Sequence, residues 1–365
     1  MIADKKYKII ISGGGTGGHI YPAIAVAQAL QKKFNQVEIL FVGAKGRMEM
    51  EKVPKAGYPI IGLWISGLQR SLSVKNLLFP FKVIISVWKS LSIIRSYKPD
   101  AVIGFGGYAS GAMVYAATLK KIPAIIHEQN SFAGITNKIL KNRVNSICVA
   151  YDNMGRFFPE RKLIKTGNPI RMDLLEVDKN KSVAYAHFGL SENKKTVLVI
   201  GGSLGARTIN ESIFEGLHEF AKHDIQVLWQ TGKNFSASTT VTQEGIKVTS
   251  FIYEMNLAYA IADVVISRAG ALSIAELAQV RKPVILVPSP NVAENHQMKN
   301  ALSLVELDAA VLVEDKDAKG NLVSTCIALV QNDIKQVQLK NNIATFAIPD
   351  AADRIVQEVV RVIKH

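Results

Sequence analysis

The sequence predicts an α/β protein made of two doubly wound, Rossmann-like domains facing each other across a cleft. Three observations carry this expectation. Eight short apolar runs each end in glycine or a small polar residue and lead into a helical pattern. The runs are continuous rather than alternating, as parallel strands covered on both faces require. They also fall into two series of four, separated by T-G-N-P-I-R (166–171), where Asn168-Pro169 breaks regular structure.

In the first series the strands are expected at Y-K-I-I-I-S-G-G, V-E-I-L-F-V-G, D-A-V-I-G-F-G-G and P-A-I-I-H-E. The second series repeats the scheme with T-V-L-V-I-G-G-S, I-Q-V-L-W-Q-T-G, D-V-V-I-S-R-A-G and K-P-V-I-L-V-P-S. The boundary places residues 1–170 in the first domain and 171–349 in the second. The tail, D-A-A-D-R-I-V-Q-E-V-V-R-V-I-K, reads as an amphipathic helix within 350–365. Ligands of doubly wound sheets sit beyond the carboxyl ends of the strands, so the glycine turns there are expected to line the cleft.

A chain of 365 residues is long for one core and comfortable for two. A net charge of +14 favours anionic partners. With no arginine-rich tail or aromatic ribonucleoprotein pattern, nucleic acid is not expected among them. Cys148 and Cys326 are too few and too far apart for a disulfide framework or thiolate metal site, which fits a reducing cytoplasm. The apolar run Ile9–Ile11 is shorter than the roughly 7 to 15 residues of a signal peptide core. No stretch reaches the roughly 18 apolar residues of a membrane span, so any membrane contact is expected to be peripheral.

Gly13-Gly14-Gly15-Thr16-Gly17-Gly18 formally satisfies the dinucleotide fingerprint G-x-G-x-x-G. The acid that should end the second strand and hold a ribose is missing, because I-L-F-V runs into Gly43-Ala44-Lys45. A P-loop also fails, since His19 and Ile20 stand where Lys and Ser/Thr belong. What survives is a helix N-terminus presenting bare amides to an anion. Gly201-Gly202-Ser203-Leu204-Gly205 matches the nucleophile elbow of serine hydrolases, but Asp263 lies at the wrong end of its strand and His296 has no obvious orienting acid. The alternative is a second anion-binding turn. Two such turns, one per domain, suit a pair of ligands carrying diphosphates, as a nucleotide-sugar transferase has.

Seven segments, in order, sharpen this: G-G-G-T-G-G-H (13–19), G-F-G-G-Y-A-S-G (104–111), H-E-Q-N (127–130), G-N-P-I-R (167–171), G-G-S-L-G-A (201–206), S-R-A-G-A-L-S-I-A-E (267–276) and H-Q (296–297). With them the chain resembles the MurG N-acetylglucosaminyltransferases of peptidoglycan synthesis over nearly its whole length. The resemblance implies a GT-B fold, with the last helix crossing back to the first domain. It implies inverting transfer of GlcNAc from UDP-GlcNAc to the C4 hydroxyl of MurNAc in lipid I, giving lipid II, at the cytoplasmic face of the membrane. It also makes other cell-wall synthesis proteins candidate partners. Leu204 departs from the family's usual Gln, and P-S-P-N-V-A-E-N-H-Q is about one residue longer than is common, which loosens the assignment of Gln297.

On this resemblance His19 is the candidate general base, with Glu128 the second candidate. Donor contacts fall on Thr16, Gly17, Gly18, Asn130, Arg171, Ser203, Ile252, Ala271, Leu272, Ser273, Ile274, Ala275, Glu276 and Gln297. Acceptor contacts fall on Gly14, Gly15, Gly106, Gly107, Tyr108 and His127. Competing structural roles exist for several. Ser273-Ile274-Ala275-Glu276 is also a capping box, Asn130 could cap the next helix, and Arg171 could form a salt bridge at the domain joint. The lone D-x-D, Asp315-Lys316-Asp317, sits in a charge run and reads as a solvated loop, so neither metal nor other cofactor is expected.

A lipid-linked acceptor requires an anionic membrane surface within reach. Leu77, Phe81, Ile84, Trp88 and Leu91 fall on one helical stripe, with Lys75, Lys82 and Lys89 expected opposite. Pro80 should open the helix and leave Leu77, Leu78 and Phe79 in a loop, and these with Phe81 and Trp88 are the candidate bilayer contacts. The later turns are expected to bury their apolar side on the sheet.

Overall fold

A computed structural model describes residues 6–67, 78–171, 173–174, 177, 181–235, 243–292 and 295–364. The chain divides into two compact units, one formed by Met1–Ile170 with Ile348–His365 and the other by Arg171–Ala347.

In the first unit the order is β1 (Tyr7–Ser12), α1 (Gly17–Lys33), β2 (Val37–Ala44), α2 (Glu49–Lys55), β3 (Ile60–Leu63), α3 (Phe79–Tyr97), β4 (Ala101–Gly104), α4 (Tyr108–Leu119), β5 (Ala124–Glu128), α5 (Ile135–Leu140), β6 (Ser146–Val149) and β7 (Leu163–Lys165). All strands are parallel, in the order β3-β2-β1-β4-β5-β6-β7. The direction of winding reverses between β1 and β4, and beyond the carboxyl ends of strands at such a reversal doubly wound sheets bind their ligands. Both loops are the glycine-rich segments, 13–16 and 105–107.

The pleat of β1 divides the core. Ile9 and Ile11 face Val26, Leu30 and the first helix on one side, whereas Ile10 faces Ile93, Ile94 and Met113 on the other. A strand flanked by helices on both faces must be apolar at every position, which is why Y-K-I-I-I-S shows no alternation.

The second unit contains α6 (Lys181–Phe188), β8 (Lys195–Ile200), α7 (Arg207–Lys222), β9 (Ile225–Gln230), β10 (Ile246–Thr249), α8 (Met255–Ile261), β11 (Val264–Ser267), α9 (Ala271–Val280), β12 (Val284–Leu286), α10 (His296–Val305), β13 (Val311–Leu312), α11 (Ala318–Val330) and α12 (Asp333–Ala344). Its parallel sheet runs β10-β9-β8-β11-β12-β13, and its reversal falls between β8 and β11. The turns at 201–206 and 268–270 therefore occupy the same topological position as the glycine loops of the first unit.

The last helix, α13 (Ala351–Lys364), belongs to the first unit. It buries Ile355, Val356, Val359 and Val362 against the α1 face of the sheet. Glu358, only 5% exposed, is tied to Ser146 Oγ of β6 and to Arg361, so its buried charge is both paired and hydrogen-bonded.

Candidate active site

In the first unit the glycine loop turns from β1 into α1 with Thr16 as the N-cap. A residue that sequence reasoning missed supports it from below. Glu49, fully buried at the start of α2, accepts from Ala44 N at 2.9 Å and Gly15 N at 3.0 Å. A Cβ on Gly14 would lie 2.1 Å from Glu49 Oε1, and one on Gly43 2.5 Å from Glu49 Cγ. Nothing in the order of residues marks Gly14 and Gly43 as sharing a buried neighbour. The loop is therefore not uniformly bare, since the Gly15 amide is already spent on a carboxylate. The amides at the start of α1, on Gly17 and Gly18, have no intrahelical acceptor.

His19 is fixed by the loop it closes. Its Nδ1 lies 2.8 Å from Gly14 O and 3.3 Å from Thr16 Oγ1. A carbonyl only accepts, so Nδ1 carries the proton and Nε2 of the neutral ring carries the lone pair. Nε2 faces the second glycine turn. A Cβ on Gly106 would stand 2.9 Å from it, and Gly106 has φ +96. Gly107, at φ +84, approaches Gly14 O so closely that a Cβ would lie 2.7 Å away. The two loops thus interlock through positions where no side chain fits.

The H-E-Q-N segment is held tightly by protein groups. His127 is completely buried, accepts from Gln129 Nε2 at 3.0 Å and donates to Gly167 O at 2.9 Å. Burial pushes its pKa down to about 4, so it is a neutral strut between β5 and the 167 turn. Glu128, 2% exposed, accepts from Asn130 N, Asn130 Nδ2, Gly134 N and Asn137 Nδ2 at 2.8–3.3 Å. Both oxygens organise the 129–137 loop. Asn130 does not cap α5, whose N-cap is Gly134. Tyr108 opens α4, is 43% exposed, and meets the Phe79 ring edge-on at 5.8 Å.

The helix α3 starts at Phe79, one residue before Pro80. It buries Ser86, Ser90, Ile93 and Ile94, while Leu78, Phe81, Ile84, Ile85 and Trp88 are exposed, Trp88 by 75%. Trp88, one of the expected contacts, is thus in solvent, and the later turns bury Ile93 and Ile94 in the core as expected. Phe79 is half-buried against Tyr108, and Leu77 and Lys75 lie outside the described residues. Lys82 is not opposite the stripe but beside it, donating to Ser66 Oγ at 2.9 Å and lying 5.4 Å from the centre of the Trp64 ring. Among the described residues no helix is long and apolar enough to cross a membrane.

In the second unit, Gly205 N donates to Gly202 O at 3.0 Å and closes the turn that exposes Ser203 and Leu204. A Cβ on Gly205 would fall 2.1 Å from Thr231 O. The hydrolase reading fails on position. Asp263 holds Thr196 N at 2.7 Å, at the amino end of β8, whereas Ser203 follows its carboxyl end, roughly 20 Å of extended chain away.

The capping box also fails. The N-cap of α9 is Gly270, so Ser273 already lies inside the first turn and Glu276 one turn further. Glu276 instead accepts from Tyr259 Oη at 3.4 Å. Burial pushes its carboxyl up to about 7, an effect that nearby Arg171 opposes. Arg171 grips Asp173 through Nε, at 3.0 Å, and Nη2, and reaches Tyr253 O at 3.5 Å, so the competing salt bridge is present. Ile252 N is spent on Gln230 Oε1 at 2.9 Å. Gln297 Oε1 accepts from Ser289 N at 2.9 Å. Ala271 and Ile274 are buried, and Leu272, Ser273 and Ala275 are half-buried on the first turns of α9. Asp315 is not solvated, being paired with Arg268 and bonded by Thr208.

Models of the glycosyltransferase family 28 N-terminal and C-terminal domains match residues 9–149 and 196–355. A protein of Cytophaga hutchinsonii is 55% identical over 100% of this chain and 99% of its own, and one of Parabacteroides distasonis 52% identical over 98% and 99%. Both are named UDP-N-acetylglucosamine--N-acetylmuramyl-(pentapeptide) pyrophosphoryl-undecaprenol N-acetylglucosamine transferase. The crystal structure of Acinetobacter baumannii MurG covers 98% of this chain and 100% of that one, at 26% identity and a TM-score of 0.77. The calicheamicin glycosyltransferase CalG4, 12% identical with a TM-score of 0.73 and 99% coverage of both chains, shares the fold. On matches that span both of its units, the chain belongs to glycosyltransferase family 28.

Proposed function

We propose that this protein transfers GlcNAc from UDP-GlcNAc to the C4 hydroxyl of MurNAc in lipid I, with inversion, to form lipid II. The observation that carries the reading is full-length identity of about half to relatives named for that reaction. The geometry of each unit supports it. In the first, His19 presents the lone pair of Nε2 beside two interlocked glycine turns. It takes the C4 proton as the hydroxyl oxygen attacks the anomeric carbon. The bond from that carbon to the diphosphate breaks, and UDP leaves with the electron pair. The acceptor's own diphosphate rests on the amides that open α1 and beside Gly106, Gly107 and Tyr108.

In the second unit, Glu276 accepts the ribose hydroxyls and the Ile252 carbonyl with the start of α9 receives the uracil. The Ser203 turn and Arg171 hold the donor diphosphate, with Arg171 exchanging Asp173 for phosphate oxygens. These groups carry the leaving-group charge. The exposed side chains of Leu78, Phe81, Ile84, Ile85 and Trp88, flanked by Lys89 and Arg95, seat the protein peripherally on an anionic membrane surface at the cytoplasmic face. Incubation with labelled UDP-GlcNAc and a lipid I analogue tests the reading. Release of UDP with formation of a disaccharide is expected; release without acceptor would mean hydrolysis, and no release would overturn the proposal.

A further inference from the structure

We infer that Asp315 is a positioning residue of the donor half, clamping three separate turns into one binding surface; this rests on the donor reading above. Its Oδ1 accepts from Arg268 Nη1, and its Oδ2 accepts from Thr208 Oγ1 at 2.9 Å. Arg268 belongs to the turn after β11 and Thr208 to the first turn of α7, just past the Ser203 turn. The same Arg268 Nη1 also donates to Val287 O at 3.0 Å and lies 3.3 Å from Pro288 O, which brings in the turn after β12. One carboxylate therefore joins, directly or through a single guanidinium, the loops at the carboxyl ends of β8, β11 and β12. These are the loops on which a ligand of a doubly wound sheet rests.

The pair is a built feature. The Arg268 and Asp315 side chains are 15% and 18% exposed, so screening is weak and each ion satisfies the other. Arg268 is consequently committed to protein oxygens. Asp315 touches the donor only through the turns it fixes, and its removal leaves a largely buried guanidinium short of its counter-charge.

The test compares wild-type protein with Asp315→Ala, Asp315→Asn and Thr208→Val. UDP affinity is read by calorimetry, donor KM and kcat by turnover, and amide exchange over 202–206 and 287–289 by mass spectrometry. Asp315→Ala should weaken UDP binding and raise donor KM about tenfold, with kcat within about threefold, the scale of one charge-assisted hydrogen bond. Asp315→Asn, which keeps the shape and one acceptor, should recover part of the loss, and the two turns should exchange faster in Asp315→Ala. Thr208→Val added to Asp315→Ala should cost nothing more, because Thr208 acts through the carboxylate. Unchanged UDP affinity and donor KM in a folded Asp315→Ala protein would overturn the proposal. If wild-type protein itself bound no UDP, the donor reading would fall, while the exchange data would still decide whether Asp315 clamps the turns.

Discussion

His19 Nδ1 lies 2.8 Å from the carbonyl oxygen of Gly14, which places the proton on Nδ1 and the lone pair on Nε2. A ring held in that tautomer takes a proton without first rearranging. Replacing His19 by Ala should therefore lower kcat by about 10²- to 10⁴-fold, the usual worth of general-base catalysis, and leave UDP affinity unchanged. Turnover near the wild-type value, measured with saturating acceptor, would remove His19 as the base.

Gly106 gives an independent check on the same atom. Its φ of +96 disfavours any side chain, and a Cβ would stand 2.9 Å from His19 Nε2. Gly106→Ala should lose activity nearly as far as His19→Ala does. Gly15→Ala carries a similar φ of +85, but no protein atom lies within 4 Å of the added methyl, so it reports backbone strain without contact to the imidazole. Equal losses in the two variants, measured as kcat in proteins of matched folding by circular dichroism, would show that contact with the imidazole is irrelevant.

These contacts mark where sequence reading stopped. All eight apolar runs became strands, because a parallel strand covered on both faces must be apolar throughout, and such a run is conspicuous. Ile60–Leu63, Ser146–Val149, Leu163–Lys165, Ile246–Thr249 and Val311–Leu312 carry too little pattern to show in the sequence, being edge or near-edge strands of two to four residues. The site was legible as motifs but not as orientations. His127 and Glu128 sit on β5, which is buried at every position, and nothing in H-E-Q-N says that both side chains point into protein. Glu49 was invisible for a different reason. Its partner Gly15 is 34 residues away, and only the folded loop brings the two together.

As the proposed ribose ligand, Glu276 should make donor binding depend on pH. A carboxyl held at about 7 is largely protonated at pH 6 and ionised at pH 8, and a ribose diol donates best to the ionised form. Donor KM should therefore fall as pH rises through about 7, and Glu276→Gln should flatten the dependence while raising KM. The stability of the free protein should move the opposite way. A carboxyl whose folded pKa is raised contributes most below its unfolded value of 4.5 and loses that contribution as pH climbs to about 7. A donor KM without pH dependence between 6 and 8 would argue against Glu276 as the ribose ligand.

The exposed face of α3 predicts how the protein meets a bilayer. Phe81 is 63% exposed and Trp88 75%, two turns apart on the same side of the helix, with Ile84 and Ile85 between them. Burying such a side chain is worth about 1.5–3 kcal/mol, so each change to serine should reduce partitioning onto vesicles about tenfold or more. Lys89 and Arg95 add about 1 kcal/mol each near anionic headgroups, and that part should fade with salt. Phe79 is a control with a different expectation. Its ring rests on Tyr108, so Phe79→Ser should disturb acceptor turnover more than vesicle binding. Sedimentation with vesicles of anionic and of neutral lipid separates these effects. If Phe81→Ser/Trp88→Ser sediments as wild type does, the helix face does not seat the protein on the membrane.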